Sequence, residues 1–215
     1  MKVGTDAVLL ATLPKFTNVN SVLDIGTGTG VLSLMLAQQF PDAKITAIEL
    51  DAAAASQAVD NFTHSTWAAN LQVIQTDFEA FDSANTYDLI ISNPPFFTAS
   101  LPSEDIAKNR ARHAPANLLS AWIEKSSQLL NENGKIAIIL PESEAEINHL
   151  VALHQLFIDK IIHIHSFENT AVIRQIFVLQ KRNTTTQNSH FHIYKAQNTY
   201  AEAYIEHLKP YLTIF

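Results

Sequence analysis

The sequence predicts an α/β fold, a mostly parallel sheet with helices on both faces. Two observations predict it. Short apolar runs alternate with stretches of helical periodicity through the first two thirds of the 215 residues, and a glycine-rich turn joins the first apolar run to the first helical one. The strand candidates are Ser21 to Ile25, Lys44 to Glu49, Gln72 to Gln75, Leu89 to Ser92 and Lys135 to Leu140. Each is short, largely apolar and bounded by polar or turn-forming residues, as strands buried on both faces require. Between them, Gly30 to Gln39, Ala52 to Thr63 and Ala116 to Asn131 carry apolar residues at helical spacing, and Asn133-Gly134 reads as a helix stop. After Pro141 the rhythm changes to a helix over Glu142 to Leu153, then strands Ile158 to His165 and Arg174 to Gln180 as an antiparallel pair. Lys181 to Ser189 reads as a solvated connection, Tyr194 resumes a strand, and Tyr200 to Tyr211 is a helix docking Tyr204, Ile205 and Leu208.

Composition narrows the function classes. The chain is 47% hydrophobic and 16% charged, enough apolar material for one core, so a single domain over residues 1–215 is expected. No run approaches the roughly 18 apolar residues of a membrane span, and the start lacks a secretory signal, so a cytoplasmic location is expected. The absence of cysteine removes disulfides, thiolate metal sites and cysteine nucleophiles. A net charge of −7 argues against a broad phosphate-gripping surface, so any RNA contact must be local.

The segment Val22-Leu23-Asp24-Ile25-Gly26-Thr27-Gly28-Thr29-Gly30 runs from an apolar strand through a glycine turn into a helix. Glycine there permits positive φ and lets a ligand lie against the backbone at the carboxyl edge of the sheet. A dinucleotide enzyme spaces its glycines G-x-G-x-x-G and offers a helix amino terminus to a pyrophosphate. Here Gly26, Gly28 and Gly30 follow G-x-G-x-G behind an acid, a pattern suited to S-adenosylmethionine, which has no phosphate but carries a sulfonium, an ammonium and a ribose diol. Glu49 closes the second strand, where its carboxylate can accept from both ribose hydroxyls, with Asp51 a nearby competitor. Asp77 follows the third strand, placed to accept from the adenine amine, with Phe78 beside it to pack on the ring. A single acid at a strand end is commonly a cap; three in register after successive strands mark one crevice.

The fourth strand ends in Ser92-Asn93-Pro94-Pro95-Phe96-Phe97. Adjacent prolines fix the backbone and leave carbonyls that only accept. The lone pair of an exocyclic amine is delocalised into its ring. The Asn93 amide oxygen and the Pro94 carbonyl can accept its two protons and favour a pyramidal nitrogen beside a sulfonium methyl. Phe96 would stack on the target base. The other reading of this segment is a rigid turn with two core aromatics.

These residues bring the chain close to a known family. Asp24 to Gly30 resembles the first motif of class I methyltransferases, and Asn93-Pro94-Pro95-Phe96 resembles their amino-methylating signature, shared by enzymes acting on adenine N6, guanine N2 and glutamine N5. Lys2-Val3-Gly4-Thr5-Asp6-Ala7-Val8-Leu9-Leu10, Arg110-Ala111-Arg112-His113 and Tyr200-Ala201-Glu202-Ala203-Tyr204 are similar to the valine-tRNA adenine-37 N6-methyltransferases. The resemblance implies a Rossmann-like, mostly parallel seven-stranded sheet with an antiparallel last strand. It implies S-adenosyl-L-methionine as cofactor, S-adenosyl-L-homocysteine as product and tRNA as partner, and it assigns Gly4, Thr5 and Asp6 to the cofactor's methionine end. Family members carry a further stretch before this element, whereas this sequence begins within it at Met1. Across the binding surface the expected cofactor set is Gly4, Thr5, Asp6, Asp24, Gly26, Thr27, Gly28, Gly30, Glu49, Asp77, Phe78 and Asn93. Asn93, Pro94 and Phe96 are the expected catalytic group.

Pro95, Phe97, Arg110, Arg112 and His113 are the expected substrate contacts, the last three in a basic cluster with Lys108 that could equally balance Glu104 and Asp105 on a solvated helix start. His163 and His165 alternate on one strand, as do His190 and His192; without a third converging ligand a structural or surface role is expected, and no metal. Ser120, Ser126 and Ser127 lack a nucleophile elbow. Three rivals stay open: a glutamine-N5 or guanine-N2 methyltransferase, a nicotinamide-linked oxidoreductase, and a non-catalytic RNA-binding module that keeps the cofactor pocket.

Overall fold

The computed structural model describes residues 4–94 and 115–212. Helix α1 (Thr5–Thr12) precedes β1 (Ser21–Ile25), α2 (Val31–Gln39), β2 (Lys44–Glu49) and α3 (Ala52–Thr63). A 3-10 turn at Ala68–Asn70 leads into β3 (Leu71–Gln75) and then β4 (Tyr87–Ser92). The chain continues through α4 (Pro115–Leu129), β5 (Leu130–Leu140), α5 (Glu144–Leu153), β6 (Phe157–Phe167), β7 (Val172–Gln180), β8 (Gln187–Ala196), β9 (Thr199–Tyr200) and α6 (Glu202–Leu208).

The strands form one sheet in the order β3-β2-β1-β4-β5-β7-β6-β8-β9. β1 to β5 run parallel, β7 is antiparallel to β5 and β6, β8 is parallel to β6, and β9 is antiparallel to β8. The α/β, mostly parallel architecture with an antiparallel seventh strand is therefore as the sequence predicts. Two further strands extend the expected seven. On one face Val8 to Ala11 of α1, Leu32, Met35 and Leu36 of α2, and Tyr204 and Leu208 of α6 bury against the sheet. On the other face Leu119, Trp122 and Ile123 of α4 and Ile147 and Leu150 of α5 do the same. Central positions of β1, β4 and β5, such as Leu23, Ile90 and Ala137, are wholly buried, which explains why those strands read as continuous apolar runs.

The departures from expectation have identifiable causes. Gln187 to Ser189 lie in β8, paired with Lys160 to Ile162, rather than in a loop. Their polarity reflects exposure near the sheet's edge, where one strand face meets water. Asn133-Gly134 is a bulge within β5: its register against β4 jumps from Leu130 opposite Tyr87 to Lys135 opposite Leu89. A Cβ on Gly134 would stand 2.8 Å from the Tyr87 carbonyl oxygen, so glycine is required there by close approach and not as a helix cap. Tyr200 belongs to β9, and α6 begins two residues later. Among the described residues no helix is long and apolar enough to cross a membrane.

Candidate active site

The strand order reverses between β1 and β4, the position in an open α/β sheet where the carboxyl ends leave a crevice. Register places the key residues side by side there. Ile25 pairs with Ile48 and with Ser92, so Gly26 lies level with Glu49 on one side and Asn93 on the other. Gln75 pairs with Glu49, putting Asp77 two residues beyond the same row. With strands about 4.8 Å apart, Glu49 and Asn93 stand roughly 10 Å from one another across the glycine turn. Ser92 secures the row by donating its hydroxyl to the Ile25 carbonyl at 2.8 Å.

The turn is a built cradle. Gly26, Gly28 and Gly30 all have positive φ, at 72°, 60° and 86°. A Cβ on Gly26 or Gly28 would meet nothing within 4 Å, so both open onto free space, whereas Gly30 packs on the Phe62 ring of α3. Asn61 donates to the Thr29 carbonyl at 2.8 Å and pins the turn from the same helix. The Glu49 carboxylate accepts the Gly28 N–H at 2.8 Å through one oxygen and the Asp51 N–H at 2.9 Å through the other. Asp51 itself caps α3 by accepting from Ala54 N–H at 2.8 Å, which leaves Glu49 as the acid on the turn.

Asp24 is placed differently from the expectation of a direct contact with the cofactor. It is 0% exposed, and its Oδ2 accepts from the hydroxyls of Thr27 and Ser33, both at 2.7 Å. Asp24 Oδ1 is buried with no hydrogen-bond partner among the described residues. Burial pushes the Asp24 carboxyl up to about 6, opposed by the two hydroxyls and assisted by the negative charge of Glu49. The acid therefore braces the turn from below through Thr27. Ser33 is a site residue that the sequence reading misses; its signal is a hydroxyl in the first turn of α2, within reach of a buried acid.

Because the folded value of about 6 lies above the ordinary 3.8, folded protein holds this proton more tightly than unfolded chain. Its stabilising contribution is complete below about pH 4 and is lost as pH rises through about 6, on the order of 3 kcal/mol in all. The melting-temperature difference between wild type and Asp24→Asn is thus expected to move by several degrees, on the order of 5 °C, between pH 4 and 7. A difference that stays flat over that range overturns the assignment of the proton to Asp24.

Asp77 is exposed and accepts the Glu79 N–H at 3.0 Å, shaping the turn that leads to Phe81. Phe78 is half-buried against Trp122 of α4, ring centroids 6.2 Å apart, with the Lys125 ammonium 5.3 Å from its centroid. Its ring is thus engaged by α4. Asp6 in the first turn of α1 forms an ion pair with Arg174 of β7 at 2.8 Å, a contact between residues 168 apart that sequence reading does not reveal. Gly4 caps α1 and Thr5 starts it. Asn93 is half-buried and Pro94 buried. Pro95, Phe96, Phe97, Arg110, Arg112 and His113 lie outside the described residues.

The residues present fit S-adenosylmethionine. Open glycines at positive φ give the close backbone approach, Glu49 retains acceptor capacity for ribose hydroxyls, and the orphaned buried oxygen of Asp24 beneath the turn favours a cation above it. Solved structures share the fold. A predicted O-methyltransferase of Agrobacterium tumefaciens superposes with a TM-score of 0.70 at 18% identity over 93% of both chains. The O-methyltransferase of a Brevibacillus brevis trans-AT PKS multienzyme, in complex with S-adenosyl-L-homocysteine, superposes with a TM-score of 0.54 at 21% identity, covering 73% of this chain and 52% of that one. Fold and cradle are those of the class I, S-adenosylmethionine-dependent methyltransferases, the class to which the sequence comparisons assign the chain.

Sequence comparison carries this further. The model of the methyltransferase small domain matches residues 3–160. A tRNA1(Val) (adenine(37)-N6)-methyltransferase of Pedobacter heparinus is 35% identical over 216 residues, 100% of this chain and 92% of the relative. One of the same name from Pseudoalteromonas translucida is 35% identical over 212 residues, 98% and 91% of the two chains. The chain belongs to the methyltransferase small domain family.

Proposed function

We propose that this protein, as a single methyltransferase domain over residues 1–215, transfers a methyl group to N6 of adenine in RNA, with adenosine 37 of valine tRNA as substrate. The observation that carries the reading is the likeness to tRNA1(Val) (adenine(37)-N6)-methyltransferases across the full chain. Bound S-adenosylmethionine supplies an electrophilic methyl group. Glu49 receives the ribose hydroxyls, Gly26, Thr27, Gly28 and Gly30 lie against the donor, Asp24 braces that turn, and Asp77 with Phe78 flanks the adenine end. Gly4, Thr5 and Asp6 border the methionine end, where Arg174 fixes the position of Asp6.

Asn93 and the Pro94 carbonyl would accept hydrogen bonds from the two amine N–H groups of the target base and concentrate its lone pair on nitrogen, toward the methyl group that the bound donor would supply. The surplus proton leaves to solvent. Phe96 stacks on the base, and Pro95, Phe97, Arg110, Arg112 and His113 contact the RNA. The reaction takes place in the cytoplasm, where tRNA is modified.

The test is mass spectrometry of nucleosides from unmodified valine tRNA treated with protein and S-adenosylmethionine. N6-methyladenosine at position 37 is expected. N2-methylguanosine instead, or methylation of glutamine in a release factor with none in tRNA, overturns the substrate assignment while leaving the methyltransferase class intact.

A further inference from the structure

We infer that the ring-lined face of β6 and β8 is the surface on which unpaired bases of the substrate tRNA stack, an inference that rests on the RNA methylation proposed above. Strand alternation and register build this face. β6 and β8 are parallel neighbours, with His163 opposite His190, His165 opposite His192 and Phe167 opposite Tyr194, so ring side chains occupy three successive rungs. Ring centroids are 4.8 Å apart for His163 and His190, stacked, and 5.4 Å for His165 and His192. For Phe167 and Tyr194 they are 5.6 Å apart. The intervening residues Ile162, Ile164, Phe191 and Ile193 point the other way, into the core beneath α1, α2 and α6.

The rim of the array is open to a ligand, while His165 is 9% exposed and Tyr194 is stacked on Tyr200, ring centroids 5.2 Å apart. His190 is exposed, Phe167 is 36% exposed, and Ile173 of neighbouring β7 is 38% exposed. Flat rings exposed on a strand face are what unpaired bases stack upon. The imidazole nitrogens are turned to one another and to the backbone: His165 Nε2 lies 2.9 Å from His190 Nδ1, and its Nδ1 lies 2.6 Å from the Thr170 carbonyl. Among the described residues no three ligands converge as a metal would require. Desolvation, followed by the neighbouring His163, His165 and His192, holds His190 below the ordinary histidine value.

Charge and position point to RNA. In a chain of net charge −7, β7 and β8 contain no Asp or Glu and β6 none beyond Asp159, while Arg174 and Lys195 of these strands are paired with Asp6 and Glu202. Acid-poor strands are the local exception through which a polyanion can approach an acidic protein. β6 and β8 run parallel to β4, and the register puts Ser92 level with Ile161, so Phe167 and Tyr194 lie toward the same edge as Asn93 but about five residues further along, roughly 20–25 Å away. Gln175 of β7 ties the two regions together, accepting from Ser143 N–H at 2.9 Å and bonding His163 at 3.1 Å. The match to the methyltransferase small domain ends at residue 160, while the likeness to the tRNA methyltransferases continues to the end of the chain. The ring array lies in that continuation.

The test is equilibrium binding of an unmodified valine tRNA transcript to wild type, His190→Ala, Phe167→Leu, Tyr194→Ala and Tyr194→Phe, with melting temperature and S-adenosylmethionine affinity measured alongside. His190→Ala, Phe167→Leu and Tyr194→Ala are expected to weaken tRNA binding about fivefold or more each, with donor affinity unchanged, and Tyr194→Phe to restore it. His190 is exposed, so its replacement leaves the core intact and keeps the test valid if Tyr194→Ala unfolds. Unchanged tRNA affinity in His190→Ala and Phe167→Leu overturns the inference, as does a change in sedimentation state showing that the face seats a second copy of the chain. Wild type that binds tRNA through this face but does not methylate it would overturn the proposed reaction alone. Normal methylation and binding by every variant would overturn the stacking surface alone.

Discussion

Replacement of Asn93 by alanine is expected to cut methyl transfer about 10²-fold or more while changing S-adenosylmethionine affinity by less than about threefold. Asn93 follows directly on the Ser92 that bonds the Ile25 carbonyl, so its backbone is held level with Gly26. Truncation therefore removes one preorganised acceptor without loosening the row. The energetic size is that of one lost preorganised acceptor, about 3 kcal/mol in the barrier. Single-turnover transfer from a labelled donor reads the chemical step, and calorimetric titration reads the donor. Equal turnover in the two proteins would remove Asn93 from the chemistry. Loss of donor binding in proportion to turnover would instead make it part of the cradle.

The second large effect is on stability. Gly30 caps α2 in the left-handed region at φ 86°, and a Cβ there would sit 2.4 Å from Cε1 and 3.0 Å from Cζ of Phe62. Phe62 is 3% exposed and has nowhere simple to go. Backbone strain of about 1–2 kcal/mol and overpacking of about 1–3 kcal/mol act together in Gly30→Ala, lowering the melting temperature on the order of 10 °C. Gly28→Ala is the control, since its added methyl projects into open space and adds only the strain of φ 60°. A Gly30→Ala protein that melts with wild type would mean that α3 does not support the turn as described.

The parallel half of the molecule is readable because its physics is local. β1, β2 and β4 are buried on both faces, so an apolar run bounded by turn residues marks each of them. Failures occur where a remote partner decides. Gly134 resembles a helix stop until Tyr87 is found against it, and Gln187 to Ser189 resemble a loop until β6 is found beside them. Helix α1 is legible only as a motif, because its apolar residues are buried nearly all round and give little periodicity. The site divides in the same way. Glycine spacing and the strand-end acids are sequence-adjacent signals, and the register brings them into one row with Asn93. The hold of Arg174 on Asp6, the contact of Phe78 with α4 and the burial of Asp24 all depend on packing between distant segments.

The carboxylate of Glu49 has a consequence for the speed of recognition. Held at both oxygens by the amides of Gly28 and Asp51, it is positioned by the fold itself. A hydroxyl arriving beside Gly28 meets an oxygen whose rotamer freedom was surrendered when the chain folded, so little ordering entropy is left to be lost on association. Two short amide contacts thus convert a flexible side chain into rigid scaffolding before any guest arrives.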